Sequence, residues 1–377
     1  MDKIKILFFT PYAGRTGSEM ALLNFLKHID QTKFDVRLFS MQNGELLKEL
    51  PSSIKSYVDK SNSSIVKRIV NKVISKLQFT SSLERRLLKI NHEFKPDIWY
   101  LNTMVMPIIV DIAIKNNIKF AVHFHELLSQ YNFITADNLE RAIEHSSFTI
   151  GCCDVVCESL KILGSKKVLK QYECIDTNLI KVNEHRKTEL RLLNNILEGS
   201  NIIVMSGQRI DRKGYDIFIE VARRLKDEKY YFIWLGATKQ SGYEYFLDKY
   251  IDHYKLKNIL IIHPPQLDYY NYLDLADVFF LSSREDPFPL VMLEANILGK
   301  YIVSLDSGGV VEFLDSSKGH IIKSWNIEDI VLELKMCCHN LKDKKISPIV
   351  KSEELEVETQ TKLFELLLQN SIINISL

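Results

Sequence analysis

SSREDPFPLVMLEANILGKYIVSLDSGGVVE, Ser282–Glu312, is the stretch whose reading decides the fold. It follows Val278–Leu281, a short continuous apolar run of the kind that forms a parallel strand buried on both faces. Glu285 and Asp286 come next, then the turn chemistry of Pro287-Phe288-Pro289 and an apolar-periodic helix over Leu290–Leu298. Pro289 suits the first helical position, where the missing N–H is not needed. Gly299 suits the position just past the end, where positive φ is cheap only without a Cβ. The helix therefore starts at the carboxyl end of a strand, where open α/β sheets bind ligands. Its unpaired amides and positive dipole end make a seat for an anion such as pyrophosphate. Asp286 and Glu294 stand eight residues apart, slightly over two turns, and so bracket one side of that helix end. A further strand, Tyr301–Leu305, runs into Asp306-Ser307-Gly308-Gly309, whose glycines let backbone approach a ligand.

The same alternation extends in both directions. Strand-like runs at Ile4–Phe9, Phe34–Ser40, Asp97–Leu101, Lys119–Phe124, Phe148–Cys152 and Lys167–Gln171 are mostly separated by helical patterns. After the polar stretch Asn183–Ser200 a second series follows: Asn201–Ser206, Tyr230–Leu235, Asn258–Ile262, Val278–Leu281, Tyr301–Leu305 and His320–Lys323. Such alternation predicts doubly wound parallel sheets. At 377 residues the chain is long enough for two domains. A net charge of +1 argues against general binding to nucleic acid. The start, KIKILFFTP, is too short for a secretory signal, and no run reaches the length of a membrane span. Six cysteines without zinc-site spacing read as reduced, mostly buried thiols, and cytoplasmic localisation is the expectation.

Two more loops follow strands. Ser206–Gly214, SGQRIDRKG, brings cations to a helix start, where they oppose the dipole unless they serve an anion. Tyr12–Glu19, YAGRTGSE, precedes a helix with Leu22, Leu23, Phe25 and Leu26 inward. Val122-His123-Phe124-His125-Glu126 ends another strand. The acids Asp268, Asp274 and Asp277 read as a helix surface, and Leu355, Leu363, Phe364, Leu366, Leu367 and Leu368 mark an amphipathic helix over about 352–369.

Asp286, Phe288, Glu294, Gly308 and Gly309 together resemble the signature of retaining GT-B glycosyltransferases, the glycosyl transferases group 1 or GT4-like family. Two positions depart from the common pattern: Asp286 replaces a Glu, and Pro289 replaces a Gly. The resemblance implies two Rossmann-like domains facing across a cleft. Residues 1–180 would form the acceptor side, 181–355 the nucleotide-sugar side, and 356–377 a helix crossing back to the first domain. It implies that Glu294 accepts from both ribose hydroxyls and that Asp286 contacts the donor sugar. Phe288 and Leu290 would supply backbone N–H groups. Lys213 and Arg212 (with Arg209 as the alternative) would stabilise the leaving diphosphate. Gly17 would belong to a loop closing over that diphosphate, and His125, a better match than His123, would face the sugar. The reaction implied is transfer of a hexose-type sugar, with retention, from a nucleoside diphosphate sugar to a hydroxyl of a glycan or lipid-linked acceptor, as in bacterial surface polysaccharide synthesis. No metal and no cofactor are implied. The alternative is a catalytically silent GT-B subunit that binds a sugar nucleotide or partners an active transferase.

Residues 65–90 concentrate seven cations against the single acid Glu84, with Ile65, Val66, Ile69, Val70, Val73, Ile74 and Leu77 at helical spacing. Such a pattern arises most often from a core-packed helix with a solvated basic face. It also suits peripheral docking on the anionic inner membrane face, each cation near the surface contributing about 1 kcal/mol. Salt-sensitive co-sedimentation with anionic but not neutral vesicles is the outcome expected for docking. Indifference to Gln at Lys67, Arg68, Lys72 and Lys76 would leave only packing.

Overall fold

A computed structural model describes residues 3–59, 81–236, 241–263, 268–343 and 353–376. The chain divides into two compact units, Met1–Cys174 with Val357–Leu377, and Ile175–Glu356.

The first unit holds strands β1 (Ile4–Thr10), β2 (Phe34–Ser40), β3 (Lys55–Val58), β4 (Ile98–Leu101), β5 (Phe120–Phe124), β6 (Phe148–Gly151) and β7 (Val168–Lys170). They form one parallel sheet in the order β3-β2-β1-β4-β5-β6-β7. β3 escapes the sequence reading because it is a four-residue edge strand whose Lys55 and Ser56 are exposed. A short, charged edge of this kind discourages pairing with other chains.

The helix Val357–Ser376 belongs to this unit. Its Phe364 is fully buried, stacked on Phe25 at 4.5 Å between centroids and set edge-on to Tyr100 at 5.6 Å. Burying such a side chain contributes roughly 1.5–3 kcal/mol. Gln171 donates to the Gln360 side chain at 2.7 Å, and Glu365 accepts from the Asp30 amide at 2.6 Å. The helix starts later than its leucines suggest, after a 3-10 turn at Glu353–Leu355. Its inward face is Val357, Phe364, Leu368 and Ile372, whereas Leu363 and Leu366 are half exposed.

The second unit holds β8 (Asn201–Ser206), β9 (Tyr230–Leu235), β10 (Ile259–Ile262), β11 (Val278–Leu281), β12 (Tyr301–Leu305) and β13 (Gly319–Ile322). These too are all parallel, in the order β10-β9-β8-β11-β12-β13. Phe218 and Trp234 pack edge-on at 5.3 Å, and Phe218 stacks on Phe280 at 6.2 Å.

Two local expectations need correction. Pro289 is the N-cap rather than the first helical residue, because the helix runs Leu290–Ile297. The three acids do not line a helix face but flank the short helix Tyr269–Leu273. Asp268 takes two bonds from the Arg186 guanidinium, Asp274 pairs with Lys187 and Lys300, and Asp277 accepts from the Ile202 amide. Within the basic segment, residues 65–80 lie outside the described residues. The rest belongs to the helix Ser82–Phe94, which buries Leu83, Leu87 and Ile90. Its Glu84 pairs with Lys115 at 2.9 Å, and its Arg86 is spent on the Val58 carbonyl and the face of Phe39. No helix among the described residues is long and apolar enough to cross a membrane. All six cysteines are free and buried.

Candidate active site

In each sheet the strand order reverses between two neighbours, β1 and β4 in the first and β8 and β11 in the second. Loops leaving the carboxyl ends of such a pair splay apart and leave a crevice for ligands.

In the second unit three loops converge on Asp286, which is buried. The loop after β8 delivers Lys213, whose Nζ donates to Asp286 Oδ2 at 2.6 Å, and Arg212, whose Nη1 lies 3.7 Å from Asp286 Oδ1. The loop after β11 supplies Ser283, whose hydroxyl donates to the same Oδ2 at 3.0 Å. The loop after β12 receives the Asp286 amide on the Ser307 carbonyl at 2.7 Å and forms a bridge at Gly308, which takes φ +132°. Arg212 is further held by donating to the Glu285 carbonyl at 2.8 Å, while its Nε is buried with no partner among the described residues. Burial pulls the Lys213 ammonium below the usual lysine range and outweighs the opposing pull of Asp286. The turn carrying both cations closes on Gly214 at φ +66°. A Cβ there would sit 1.8 Å from the Ser282 carbonyl oxygen, so only glycine lets the two loops touch.

Glu294 lies one turn into the helix Leu290–Ile297, which ends on Gly299 at φ +68°. The Tyr269 hydroxyl donates to one of its carboxylate oxygens at 3.0 Å and the Tyr270 hydroxyl to the other at 3.2 Å. Tyr269 also meets the Ser206 hydroxyl at 2.8 Å. A carboxylate offers about four lone-pair sites. The two tyrosine hydroxyls thus each hold one of its oxygens. Sequence reading missed both tyrosines, because nothing local ties them to a residue 25 and 24 positions away. Leu290 opens the helix, Phe288 is buried edge-on to Phe313 at 6.5 Å, and Gly309 caps the short helix Val310–Phe313. Arg209 is turned elsewhere: it is buried against Asp248 at 2.9 Å and lies over the Tyr215 ring.

In the first unit the corresponding loops gather a different chemistry. Gly17 opens the helix Gly17–His28, and a Cβ there would meet nothing within 4 Å, so the packing does not demand glycine. Two residues on, Glu19 is buried, and burial raises its pKa. Glu126 is buried also, bonded by the Thr103 hydroxyl and by the His125 amide at 2.7 Å, and its pKa is likewise raised by burial. His125 Nδ1 lies 2.5 Å from Glu173 Oε1. Among the described residues His125, Cys152 and Glu173 are also the one trio whose ligand atoms lie close enough, within 4.8 Å, to share an ion. Glu173 carried no signal in the sequence, since it stands 48 residues from its partner.

Two doubly wound parallel units, each with polar loops at its switch point, define the GT-B class. Residues 187–346 match the family described as glycosyl transferases group 1. That match lies within the second unit. A curated relative from Campylobacter jejuni, N,N'-diacetylbacillosaminyl-diphospho-undecaprenol alpha-1,3-N-acetylgalactosaminyltransferase, is 29% identical over 167 residues. That match covers 43% of this chain and only 41% of the relative's length. Among solved structures, Anabaena Alr3699/HepE in complex with UDP-glucose superposes with a TM-score of 0.80 at 17% identity, covering 97% of this chain and all of that one. WaaG, a glycosyltransferase involved in lipopolysaccharide biosynthesis, gives 0.66 at 11% identity, covering 97% and 95%. Likenesses at these identities establish the fold.

Proposed function

We propose that the chain is a retaining glycosyltransferase that moves a sugar from a nucleoside diphosphate sugar to a hydroxyl of a glycan or lipid-linked acceptor. The observation that carries the reading is the convergence of Arg212 and Lys213 on the Asp286 loop at the β8/β11 switch point. Two cations beside a helix start suit a diphosphate, and the unpartnered Nε of Arg212 is a further donor for it. Charge that develops on the leaving phosphate meets donors already in place, which is the electrostatic form of catalysis that needs no reorganisation. Glu294 takes the ribose hydroxyls and Asp286 those of the sugar. Acceptor attack on the face the phosphate leaves from needs orientation more than a conventional base. The UDP bound by Anabaena HepE makes uridine diphosphate sugars the first donors to examine. The diphospho-undecaprenol in the name of the Campylobacter relative does the same for lipid-linked acceptors.

A thermal-shift screen of nucleotide sugars tests this, since a ligand that binds only the folded state raises Tm by mass action. A match should also be turned over, if only as slow hydrolysis without acceptor. Binding without any turnover would favour a silent subunit. Arg212 and Lys213 perform the charge stabilisation in this reading, so activity should survive EDTA. Loss with EDTA, restored by magnesium or manganese, would overturn the metal-free assignment.

A further inference from the structure

The first unit buries a charged pair at the ligand end of its sheet that its packing does not require. The His125 and Glu173 side chains are each more than nine-tenths buried and meet at 2.5 Å. Replacing a buried ion pair with apolar groups of similar volume is often neutral or stabilising, so stability alone does not account for it. Both partners also leave a polar atom over. His125 Nε2 and Glu173 Oε2 are buried and have no partner among the described residues. Such orphaned atoms are rare in folded proteins and ask for a reason.

The ring is held from two directions. Glu173, beyond β7, takes Nδ1, and the His123 ring lies against it at 3.9 Å between centroids. His123 is itself fastened through Nδ1 to the Tyr100 hydroxyl at 2.7 Å. With Nδ1 committed, Nε2 is the atom left for a ligand. The groups surrounding the imidazole are Glu19, Glu126, Glu173, His123, Cys152 and Tyr100. None is a cation at neutral pH once His123 is neutral, so the surroundings favour a donor on Nε2 and suit hydroxyls rather than phosphate.

We propose that Glu173 is a positioning residue for His125, holding the imidazole through Nδ1 so that Nε2–H donates to a hydroxyl oxygen of the sugar substrate. The role assigned to His125 rests on the transferase reading above, whereas the control exerted by Glu173 does not. The two histidines respond oppositely to the same surroundings. Burial and the neighbouring His125 push His123 well below the usual range. Burial pulls His125 down as well, but Glu173, with Glu126 and Glu19, overcomes it and raises the pKa. A raised histidine keeps its proton below its folded pKa and loses both the proton and the pairing as pH rises through it.

The test is an NMR titration of the intact chain, with the His125 resonances identified by their absence in His125→Ala. In the wild type His125 should titrate above the ordinary histidine range. Glu173→Gln, nearly isosteric, should bring it down, because burial then acts with less opposition. Glu173→Asp keeps the charge and should leave it raised, which covers the case in which the Gln variant does not fold. An unchanged titration in folded Glu173→Gln, or one lowered to the ordinary range in Glu173→Asp, would overturn the proposal. So would stoichiometric metal retained by the purified protein on His125, Cys152 and Glu173. In transfer assays Glu173→Gln should move the alkaline limb of kcat/KM to lower pH and cost nothing further in the His125→Ala background. Equal losses in both backgrounds would mean a merely structural role. A Glu173-dependent titration in a chain that transfers no sugar would defeat the transferase reading alone.

Discussion

Glu294→Ala is expected to remove most of the affinity for the nucleotide, by roughly 2–4 kcal/mol, because in the proposed binding mode two ribose hydroxyls lose a charged acceptor. That corresponds to a loss of about 30- to 1,000-fold in Kd. The loss should fall on the ligand rather than on the fold. Tyr269 keeps its bond to the Ser206 hydroxyl at 2.8 Å, and Tyr270 is only partly buried and can turn to water. Titration calorimetry with UDP on wild type and variant, beside a thermal melt of each, reads both effects. Unchanged affinity for the free nucleotide would remove Glu294 from the ribose.

The second large effect is expected at Asp286. Asp286→Asn keeps the shape, the backbone bond to Ser307 and an oxygen for the Ser283 hydroxyl. It abolishes the ion pair with Lys213 at 2.6 Å. Turnover should fall by about 100-fold or more if the carboxylate meets the sugar as the reaction proceeds, a loss of the size seen when one preorganised polar contact is removed. Free nucleotide should bind as well as before or better, because Arg212 and Lys213 no longer have an internal carboxylate competing with phosphate. Equal losses for turnover and for free-nucleotide affinity would contradict the separation of roles between Asp286 and Glu294.

The difference between these two residues illustrates what was legible beforehand. Both acids stand in one short stretch whose turn and helix signals are local, so their proximity to a single helix start could be read from spacing. The partners could not be read in this way. Lys213 is 73 residues from Asp286, and the two meet because β8 and β11 are neighbours in the sheet. The choice between two arginines was open in the sequence, since Arg209 and Arg212 share one loop. Tertiary packing separates them, committing Arg209 to Asp248 and bringing Arg212 beside Asp286.

By itself the sequence determined the alternation of buried strands with helices, the doubly wound class, and the loops that follow particular strands. Those properties follow from hydrophobic period and turn chemistry among neighbouring residues. Only the tertiary structure decided which loops touch, which leucines of the last helix face inward, and that Glu173 reaches His125. Each of those depends on strand order and packing over tens of residues, to which local spacing is blind.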